Sequence, residues 1–272
     1  MHFTLRILTR LIALALLCAA QGVLAAPVCP TQPITFAFFE SGLMYSDQTK
    51  DGIDKAVMEE LARRSGCTFE FALKPRTRIW RELAHGDLMM TGSALRTNER
   101  DAYAWAVNYF GLKTDLIIRN TQASAPKTKE EFLHNTSLKM GVARGFHHSK
   151  EMERFIDALR VQNRIIESPP RSMFEMLKRD RFAAMPVNPL DVLYRDKIDL
   201  SEFTIATDWF PSDKSVPRAL LLSKKYFSKA QVHEWHTLVQ QMRNDGTLKR
   251  IFVQYAGAAT AEALMQFPPD AL

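Results

Sequence analysis

The chain has 272 residues with 36 basic and 30 acidic side chains, giving a formal net charge of +6. The charges are interspersed and no basic run contains interleaved aromatic residues, which argues against nucleic acid as a partner. The three cysteines lack metal-ligand spacing, so we expect neither a metal nor another cofactor.

The N-terminal segment has the features of a secretory signal peptide. Two arginines precede an apolar run at Leu11–Leu17, and small residues follow up to a cleavage site after Ala25 or Ala26. The apolar run is well short of the roughly 20 residues that a spanning helix needs, which disfavours the alternative of a membrane anchor. We therefore expect residues 1–26 to be removed and the remaining chain to act in the periplasm.

Strand and helix signals alternate in the first part of the remaining chain. Strands are predicted at Ile34–Phe39, Cys67–Leu73 and Leu88–Met90, with helices from Asp54 to a stop at Gly66 and at Ile79–His85. This alternation is typical of a parallel sheet with right-handed crossovers. Thr91, Gly92 and Ser93 are interpreted as a polar turn after the third strand, where ligands bind in open α/β sheets.

The same β-α-β-α-β pattern is predicted a second time, after a strand at Thr114–Arg119. Strands are predicted at Lys139–Ala143, Arg164–Glu167 and Phe182–Val187, with helices capped by Ser149 and Ser172. The chain then returns through strands at Phe203–Ala206 and Ala219–Leu222, a helix capped by Ser228, and a last helix at Leu248–Tyr255. The tail from Gly257 is expected to cover a surface or to fray.

Cys29 and Cys67 are expected to form a disulfide. Cys29 precedes the first predicted strand and Cys67 precedes the second, and adjacent parallel strands bring those ends together. Export also places the chain in an oxidising compartment, where a disulfide is the default. Two free buried thiols are the alternative.

Five segments together carry a resemblance to a known family. They are Gly52–Asp54, Trp80–Asp87, Thr97–Arg100, Met140–Gly145 and Asn244–Leu248. In this order they resemble segments of family 3 of the extracellular solute-binding proteins, the periplasmic amino-acid-binding type. The resemblance implies an α/β, two-lobed periplasmic-binding-protein fold, in which two parallel-sheet lobes are joined by two crossing strands and close on a ligand. Lobe 1 would comprise residues 27–116 and 217–272, and lobe 2 residues 117–216.

In the first lobe the resemblance gives the sharpest role to Arg100, the arginine of the family's Thr-x-x-Arg, which holds a ligand carboxylate. A guanidinium pairs with both carboxylate oxygens, which a lysine cannot do. Arg96 is the alternative if the loop is shifted. Thr91, Gly92 and Ser93 lie where the family uses small residues with backbone and hydroxyl donors, and their alternative role is to form a turn.

Phe39, Glu40 and Tyr45 follow the first strand, where family members place aromatic and acidic groups against the ligand. The alternatives are a core position for Phe39 and an exposed loop position for Tyr45. Trp80 is interpreted as a core residue on a helix face.

The second lobe departs from the family pattern. Phe146 and His147 follow the glycine turn, where members usually carry Ser or Thr, and a histidine pair there could read a carboxylate or, less favourably, a metal. Asn188 lies where the family's aspartate for the ligand α-amino group is expected, and Asp191 is a possible substitute. Because asparagine supplies no charge, the predicted site lacks a counter-charge for the α-amino group of an ordinary amino-acid ligand.

We therefore expect a monomeric periplasmic protein that captures a small carboxylate-bearing solute and delivers it to an inner-membrane ABC-type permease. One alternative is a ligand sensor that feeds a receptor. Another is a dehydratase-like enzyme of the same fold, with Glu40 or His147 as acid or base. A binding protein is favoured over an enzyme because no nucleophile elbow, phosphate loop or zinc-protease motif is present.

Overall fold

The computed structural model describes residues 27–120, 125–194, 200–211 and 215–267. The predicted signal peptide, residues 1–26, lies outside these described residues. Within the described ranges, no helix combines the length and the apolar character that crossing a membrane requires.

The strands form two five-stranded sheets. The first sheet contains β1 (Ile34–Phe38), β2 (Phe69–Leu73), β3 (Met90–Ala94), β4 (Ala104–Leu112) and β10 (Val216–Ser223), and the second contains β5 (Asp115–Arg119), β6 (Met140–Ala143), β7 (Ile165–Ser168), β8 (Ala184–Val187) and β9 (Phe203–Ala206). Their orders are β2-β1-β3-β10-β4 and β7-β6-β8-β5-β9. The fourth strand in each order runs antiparallel to both neighbours, so each sheet is mixed rather than purely parallel.

The α-helices alternate with most of these strands along the described part of the chain. They are α1 (Ile53–Ser65), α2 (Arg76–His85), α3 (Asn98–Asp101), α4 (Lys129–His134), α5 (Lys150–Val161), α6 (Pro170–Lys178), α7 (Pro189–Tyr194), α8 (Lys229–Asn244) and α9 (Thr247–Leu264). The chain passes from the first sheet to the second between β4 and β5, and it returns between β9 and β10. The predicted two-lobed α/β fold is confirmed, while the predicted domain boundaries stay a prediction.

Each sheet is buried on both faces. Consecutive strand residues point to opposite faces, and Phe36 and Ala37 of β1 accordingly belong to different apolar clusters. In the second sheet, Leu116 and Ile118 of β5 pack on one face and Ile117 packs on the other. This two-sided burial explains why these strands read as continuous apolar runs.

Several helix ends form as the sequence predicts because their signals are local. Gly66 adopts the left-handed conformation at φ 72° and ends α1, donating its N–H to the Ala62 carbonyl. Ser149 caps α5, and Ser228 caps α8 through a reciprocal capping box. The Thr97 side chain likewise accepts from the Arg100 backbone N–H at the start of α3.

Two predicted boundaries in the middle of the chain are wrong. The third strand is not Leu88–Met90 but Met90–Ala94, so Thr91, Gly92 and Ser93 belong to a buried strand rather than to a polar turn. Their polar atoms are satisfied by distant parts of the chain, which sequence patterning does not show. Ser172 does not cap a helix, because α6 already begins at Pro170, and proline is well suited to the first helical position.

Of the two outcomes predicted for the C-terminal tail, covering a surface is the one observed up to Leu264. The helix α9 continues past Gly257 to that residue instead of fraying. Gly257 kinks the helix at φ 76° and ψ 166°, and Ala261 and Leu264 beyond the kink are buried in the core of the first lobe. Burial of these residues therefore holds the helix together across its kink.

The predicted disulfide between Cys29 and Cys67 is confirmed, with the two Cα atoms 5.3 Å apart. It joins the segments that lead into β1 and β2, whose first residues, Ile34 and Phe69, lie opposite each other in parallel register. The covalent bond therefore fastens two neighbouring strands of the first sheet.

Candidate ligand-binding site

Three arginines from separate elements of the first lobe form a buried group, which we call the arginine cluster. Arg76 is the first residue of α2, Arg100 lies in α3 and Arg218 lies in β10, and their exposed fractions are 6%, 2% and 7%. Burial lowers the pKa of Arg76, and the positive charges of Arg100 and Arg218 lower it further. Burial, with a contribution from Arg100, lowers the pKa of Arg218 to about 10. The cluster therefore concentrates like charges in a poorly solvated place.

Arg76 is held among aromatic rings from both lobes. Its guanidinium carbon lies 3.6 Å from the ring centre of Phe39, 4.6 Å from that of Phe146 and 4.7 Å from that of Trp80. Nη2 donates to the Ser93 carbonyl at 2.8 Å. Nε and Nη1 are buried without an acceptor among the described residues. The rings shield the guanidinium from water and leave two of its nitrogens with unused donor capacity.

Arg100 packs on Trp80, the α2 residue whose ring also borders Arg76. Its guanidinium carbon is 3.7 Å from the ring centre of Trp80, and its Nη1 donates to the Leu95 carbonyl at 2.7 Å. Burial lowers the pKa of Arg100. Arg96, the alternative named from sequence, is exposed and forms an ion pair with Asp101 at 2.9 Å. Of the two, Arg100 is therefore the one that joins the cluster.

A buried carboxylate network lies beside Arg76. Ser93 Oγ donates to Asp54 at 2.8 Å, the Tyr109 hydroxyl donates to the same carboxylate, and the Ser93 N–H donates to Tyr109 at 2.8 Å. Burial raises the pKa of Asp54 to about 6, while hydrogen bonds from Tyr109 and Ser93 and the charge of Arg76 oppose that rise. Ser93 adopts φ 50°, an uncommon backbone conformation for serine. The network fixes the strand end that presents its carbonyl to Arg76.

Thr91 and Gly92 occupy the same strand in fully packed surroundings. Thr91 Oγ1 donates to the Ala37 carbonyl at 2.8 Å and so ties β3 to β1. A methyl group on Gly92 would lie 3.0 Å from the Tyr109 hydroxyl oxygen and 3.2 Å from Asp54 Oδ2. Thr91 therefore fastens the strand and Gly92 makes room for the Asp54 network, and their direct contact with a ligand stays a prediction.

The three predicted residues after β1 are separated by the fold. Phe39 is buried against Arg76, as described above. Glu40 accepts from the Asp47 backbone N–H at 2.7 Å within its own loop. Tyr45 is buried and stacks on Phe38, with ring centres 4.4 Å apart and planes 3° from parallel. Of the three, Phe39 is the one that borders the arginine cluster.

The glycine turn of the second lobe touches α2 of the first lobe. Trp80 Nε1 donates to the Gly145 carbonyl at 2.8 Å, and Phe146 packs edge-on against Phe39 with ring centres 5.6 Å apart. Gly145 has φ 76°, and a methyl group there would lie 3.1 Å from Thr77 Cγ2. Glycine is therefore needed at this turn both for its backbone conformation and for the close approach of the lobes. Trp80, interpreted from sequence as core, is half-buried and forms this inter-lobe bond.

The two histidines after Phe146 differ sharply. His147 has a 43% exposed side chain, and its Nδ1 lies 3.3 Å from Glu153. His148 is 9% exposed, and its Nε2 has no hydrogen-bond partner among the described residues. Burial lowers the pKa of His148 to about 4, with the charge of Glu153 opposing and that of Arg218 adding to the shift. In the described part of the chain, no three metal-binding side chains group together.

Asn188 uses its side chain locally. Its Oδ1 accepts from the backbone N–H groups of Leu190 at 2.9 Å and Asp191 at 3.2 Å, and its Nδ2 donates to the Asp191 carboxylate. Both Asn188 and Asp191 are thus engaged with each other at the start of α7. Whether either contacts a ligand stays a prediction.

Four residues of this region were not predicted from sequence as site residues: Arg76, Arg218, Asp54 and Tyr109. Two of them carry a signal that could have been used. Arg76 opens a helix directly after a strand, where a positive charge opposes the helix dipole. Arg218 is a lone charge inside the apolar strand Val216–Ser223. A charged residue at a position where its local surroundings disfavour charge often interacts with a distant part of the fold.

Comparison with known proteins supports the fold. No family model and no curated protein sequence matches the chain. Among solved structures, it is similar to a putative L-cystine ABC transporter protein from Listeria monocytogenes, at 16% identity and a TM-score of 0.68, over 84% of this chain and 98% of that one.

Two further structures are similar over most of their length. An arginine-binding protein from T. maritima shares 15% identity with a TM-score of 0.66, over 82% of this chain and 94% of that one. An ancestral amino-acid-binding protein, a precursor of cyclohexadienyl dehydratase, shares 15% identity with a TM-score of 0.65 and the same coverage. The chain therefore has the two-lobed fold of the amino-acid-binding solute-binding proteins, as its sequence resemblance predicts.

Proposed function

We propose that this protein is a periplasmic solute-binding protein that captures a small carboxylate-bearing solute between its lobes by hinge closure. The arginine cluster is the observation that carries the proposal, because it combines buried positive charge with unused hydrogen-bond donors. Leaving such donors unpaired in a dry place costs about 1–3 kcal/mol each, and a bound carboxylate removes that cost. The solute is then passed to an inner-membrane ABC-type permease.

The contacts between the lobes support capture by closure. The Gly145 carbonyl, the Phe146 ring and the buried His148 all come from one loop of the second lobe and lie against the cluster or its supporting helix. Closure of this loop would exclude water from the ligand, which strengthens charge-assisted hydrogen bonds. Binding proteins predominate among the similar structures, and this favours binding over catalysis.

The test is calorimetric titration of the mature protein, after a thermal-shift screen of amino acids, dicarboxylates and small peptides. Arg100→Ala should weaken binding of the best ligand at least tenfold, because charge-assisted hydrogen bonds are worth about 1.5–3 kcal/mol. Arg96→Ala is the matched control, since Arg96 is an exposed arginine of the same segment, and its affinity should stay within twofold. Equal affinities for wild type and Arg100→Ala would remove Arg100 from the site.

Mass spectrometry of the incubated ligand separates binding from catalysis. A binding protein returns the ligand unchanged, whereas a dehydratase-like enzyme would release water and a lighter product. Turnover would overturn the proposal.

A further inference from the structure

We infer that the ligand is a small dicarboxylate, carrying two negative charges and no ammonium group, rather than a zwitterionic amino acid. This inference rests on the proposed function and narrows its ligand class. Three observations support it: where the unpaired donors lie, how the nearby carboxylates are used, and what the second lobe lacks.

The unpaired donors belong to two different arginines. Arg76 Nε and Nη1 and Arg218 Nη1 are buried without an acceptor among the described residues. The Phe39 ring covers a face of the Arg76 guanidinium at 3.6 Å, so the ligand must approach the edge, where the N–H groups point. One carboxylate could satisfy one arginine, and a second acidic group would satisfy the other. His148 Nε2, also buried and unpaired, adds one more hydrogen-bonding atom from the opposite lobe.

The nearby carboxylates leave Arg218 without a counter-charge in the described part of the chain. Asp54 acts on Arg76, and it already accepts from Ser93 and Tyr109. Glu99 and Glu153 act on Arg100, and Glu153 also accepts from the His148 backbone N–H at 2.7 Å and lies beside His147. No described carboxylate acts on Arg218, and buried charge without a counter-charge is strongly disfavoured. A second carboxylate on the ligand supplies that counter-charge.

A ligand ammonium group would find little support in this site. It would be repelled by the arginine cluster, and the nearest functional counterpart of the family's aspartate is Asn188. The Asn188 side chain carries no charge and is already bonded to Asp191 and to the backbone of α7. A zwitterion would thus bring one unfavourable charge for each favourable one.

The test compares matched ligands on the wild-type protein by calorimetric titration at pH 7 and constant ionic strength. Succinate and glutarate are each paired with their monoamides, succinamate and glutaramate, which keep the size and remove one charge. Glutamine and arginine serve as zwitterionic ligands. We expect at least one diacid to bind ten times more tightly than its monoamide and more tightly than either amino acid.

Arg218→Gln then tests the second acidic group. It should weaken diacid binding at least tenfold and monoamide binding by a smaller factor, so that the preference for the diacid over its monoamide falls; Arg218→Lys should retain part of that preference. If Arg218→Gln does not fold, the comparison of diacid with monoamide on the wild-type protein still tests whether the site prefers two acidic groups. A monoamide or amino acid that binds as tightly as every diacid would overturn the inference while leaving the proposed function intact. Failure of every screened solute to bind would reject the proposed function and the inference together.

Discussion

The two lobes use the same sheet plan but contribute different chemistry to the contact between them. Both sheets place an antiparallel strand between the third parallel strand and the outer strand. The first lobe adds the arginine cluster and the buried carboxylate of Asp54. The second lobe adds a backbone carbonyl at Gly145, the ring of Phe146 and the uncharged His148. In the proposed site the first lobe thus supplies charged side chains, and the second lobe covers them with uncharged groups.

The first lobe is also the covalently fastened one, and removing its disulfide should have the largest effect. Because Cys29 and Cys67 are 38 residues apart, Cys29→Ser with Cys67→Ser should lower the free energy of unfolding by about 3–4 kcal/mol. Chemical denaturation measures the loss, and hydrogen exchange should show it in β1 and β2 rather than in the second sheet.

The control for this change is the wild-type protein under reducing conditions, which should lose the same stability. The remaining cysteine, Cys18, lies in the predicted signal peptide and should not contribute. Equal loss of exchange protection in both sheets would mean that the lobes unfold as one unit. The two lobes would then differ in their contribution to the site but not in their stability.

The buried acid of the first lobe should make folding more favourable as the pH falls. The pKa of Asp54 is raised to about 6 from 3.8, so between these values the folded protein binds a proton that the unfolded chain does not. Stability contributed by Asp54 should therefore increase by about 2–3 kcal/mol from pH 7 to pH 4. Asp54→Asn removes this gain, and the difference between wild type and variant, measured by urea denaturation across this range, isolates it.

This difference is independent of other carboxylates. Glu60 and Asp245 have pKa values lowered to about 2, and they lose stabilisation as the pH falls through the acidic range. Both are present in wild type and variant, so their effect cancels. A difference that does not change with pH would show that Asp54 titrates near its ordinary value and is not the buried carboxylate of this site.

The buried base of the second lobe should titrate with the opposite sign. The pKa of His148 is lowered to about 4 from 6.5, so the unfolded chain binds a proton first as the pH falls. Its contribution to stability should therefore decrease by about 3 kcal/mol from pH 7 to pH 4. From pH 7 to pH 4, the free energy of unfolding of wild type minus that of His148→Gln should fall. The same difference taken against Asp54→Asn should rise. Two changes of the same sign would contradict the contrast between the lobes.

Local features of the fold could be predicted from the sequence, because their causes lie within a few residues. Gly66, Ser149 and Ser228 end or cap helices through contacts to their own turns. The disulfide was also predictable, since it follows from the order of the strands and from the expected export to an oxidising compartment. Each of these inferences needs only short-range geometry or topology.

The site was less predictable because its residues are satisfied by distant partners. Thr91 and Ser93 look like turn residues in sequence, but they bond to Ala37 and Asp54, which are 54 and 39 residues away. An isolated arginine such as Arg76 is ordinarily a solvated residue, and only the packed rings of both lobes make it a buried one. Sequence resemblance identified Arg100 through its motif, and it offered no comparable motif for Arg76 or Arg218.

The hydrogen bond between the lobes should have a smaller effect that appears mainly in ligand release. Trp80→Phe removes the Nε1 donor to the Gly145 carbonyl, a bond worth about 0.5–1.5 kcal/mol. Ligand dissociation, followed by stopped-flow fluorescence, should become about three to ten times faster. Stability of the unliganded protein should change little if the bond belongs to closure. Unchanged dissociation with lowered stability would instead assign Trp80 to the core of the first lobe.

The smallest effect is expected at the exposed histidine of the second lobe. His147 lies next to the buried His148, but its imidazole is 43% exposed and already lies 3.3 Å from Glu153. Exposed ion pairs contribute about 0–1 kcal/mol, so His147→Ala should change ligand affinity less than twofold by calorimetry. A tenfold loss would mean that the imidazole turns toward the ligand on binding. The second lobe would then contribute His147 to ligand binding in addition to His148, and the contrast between the two lobes would be weaker.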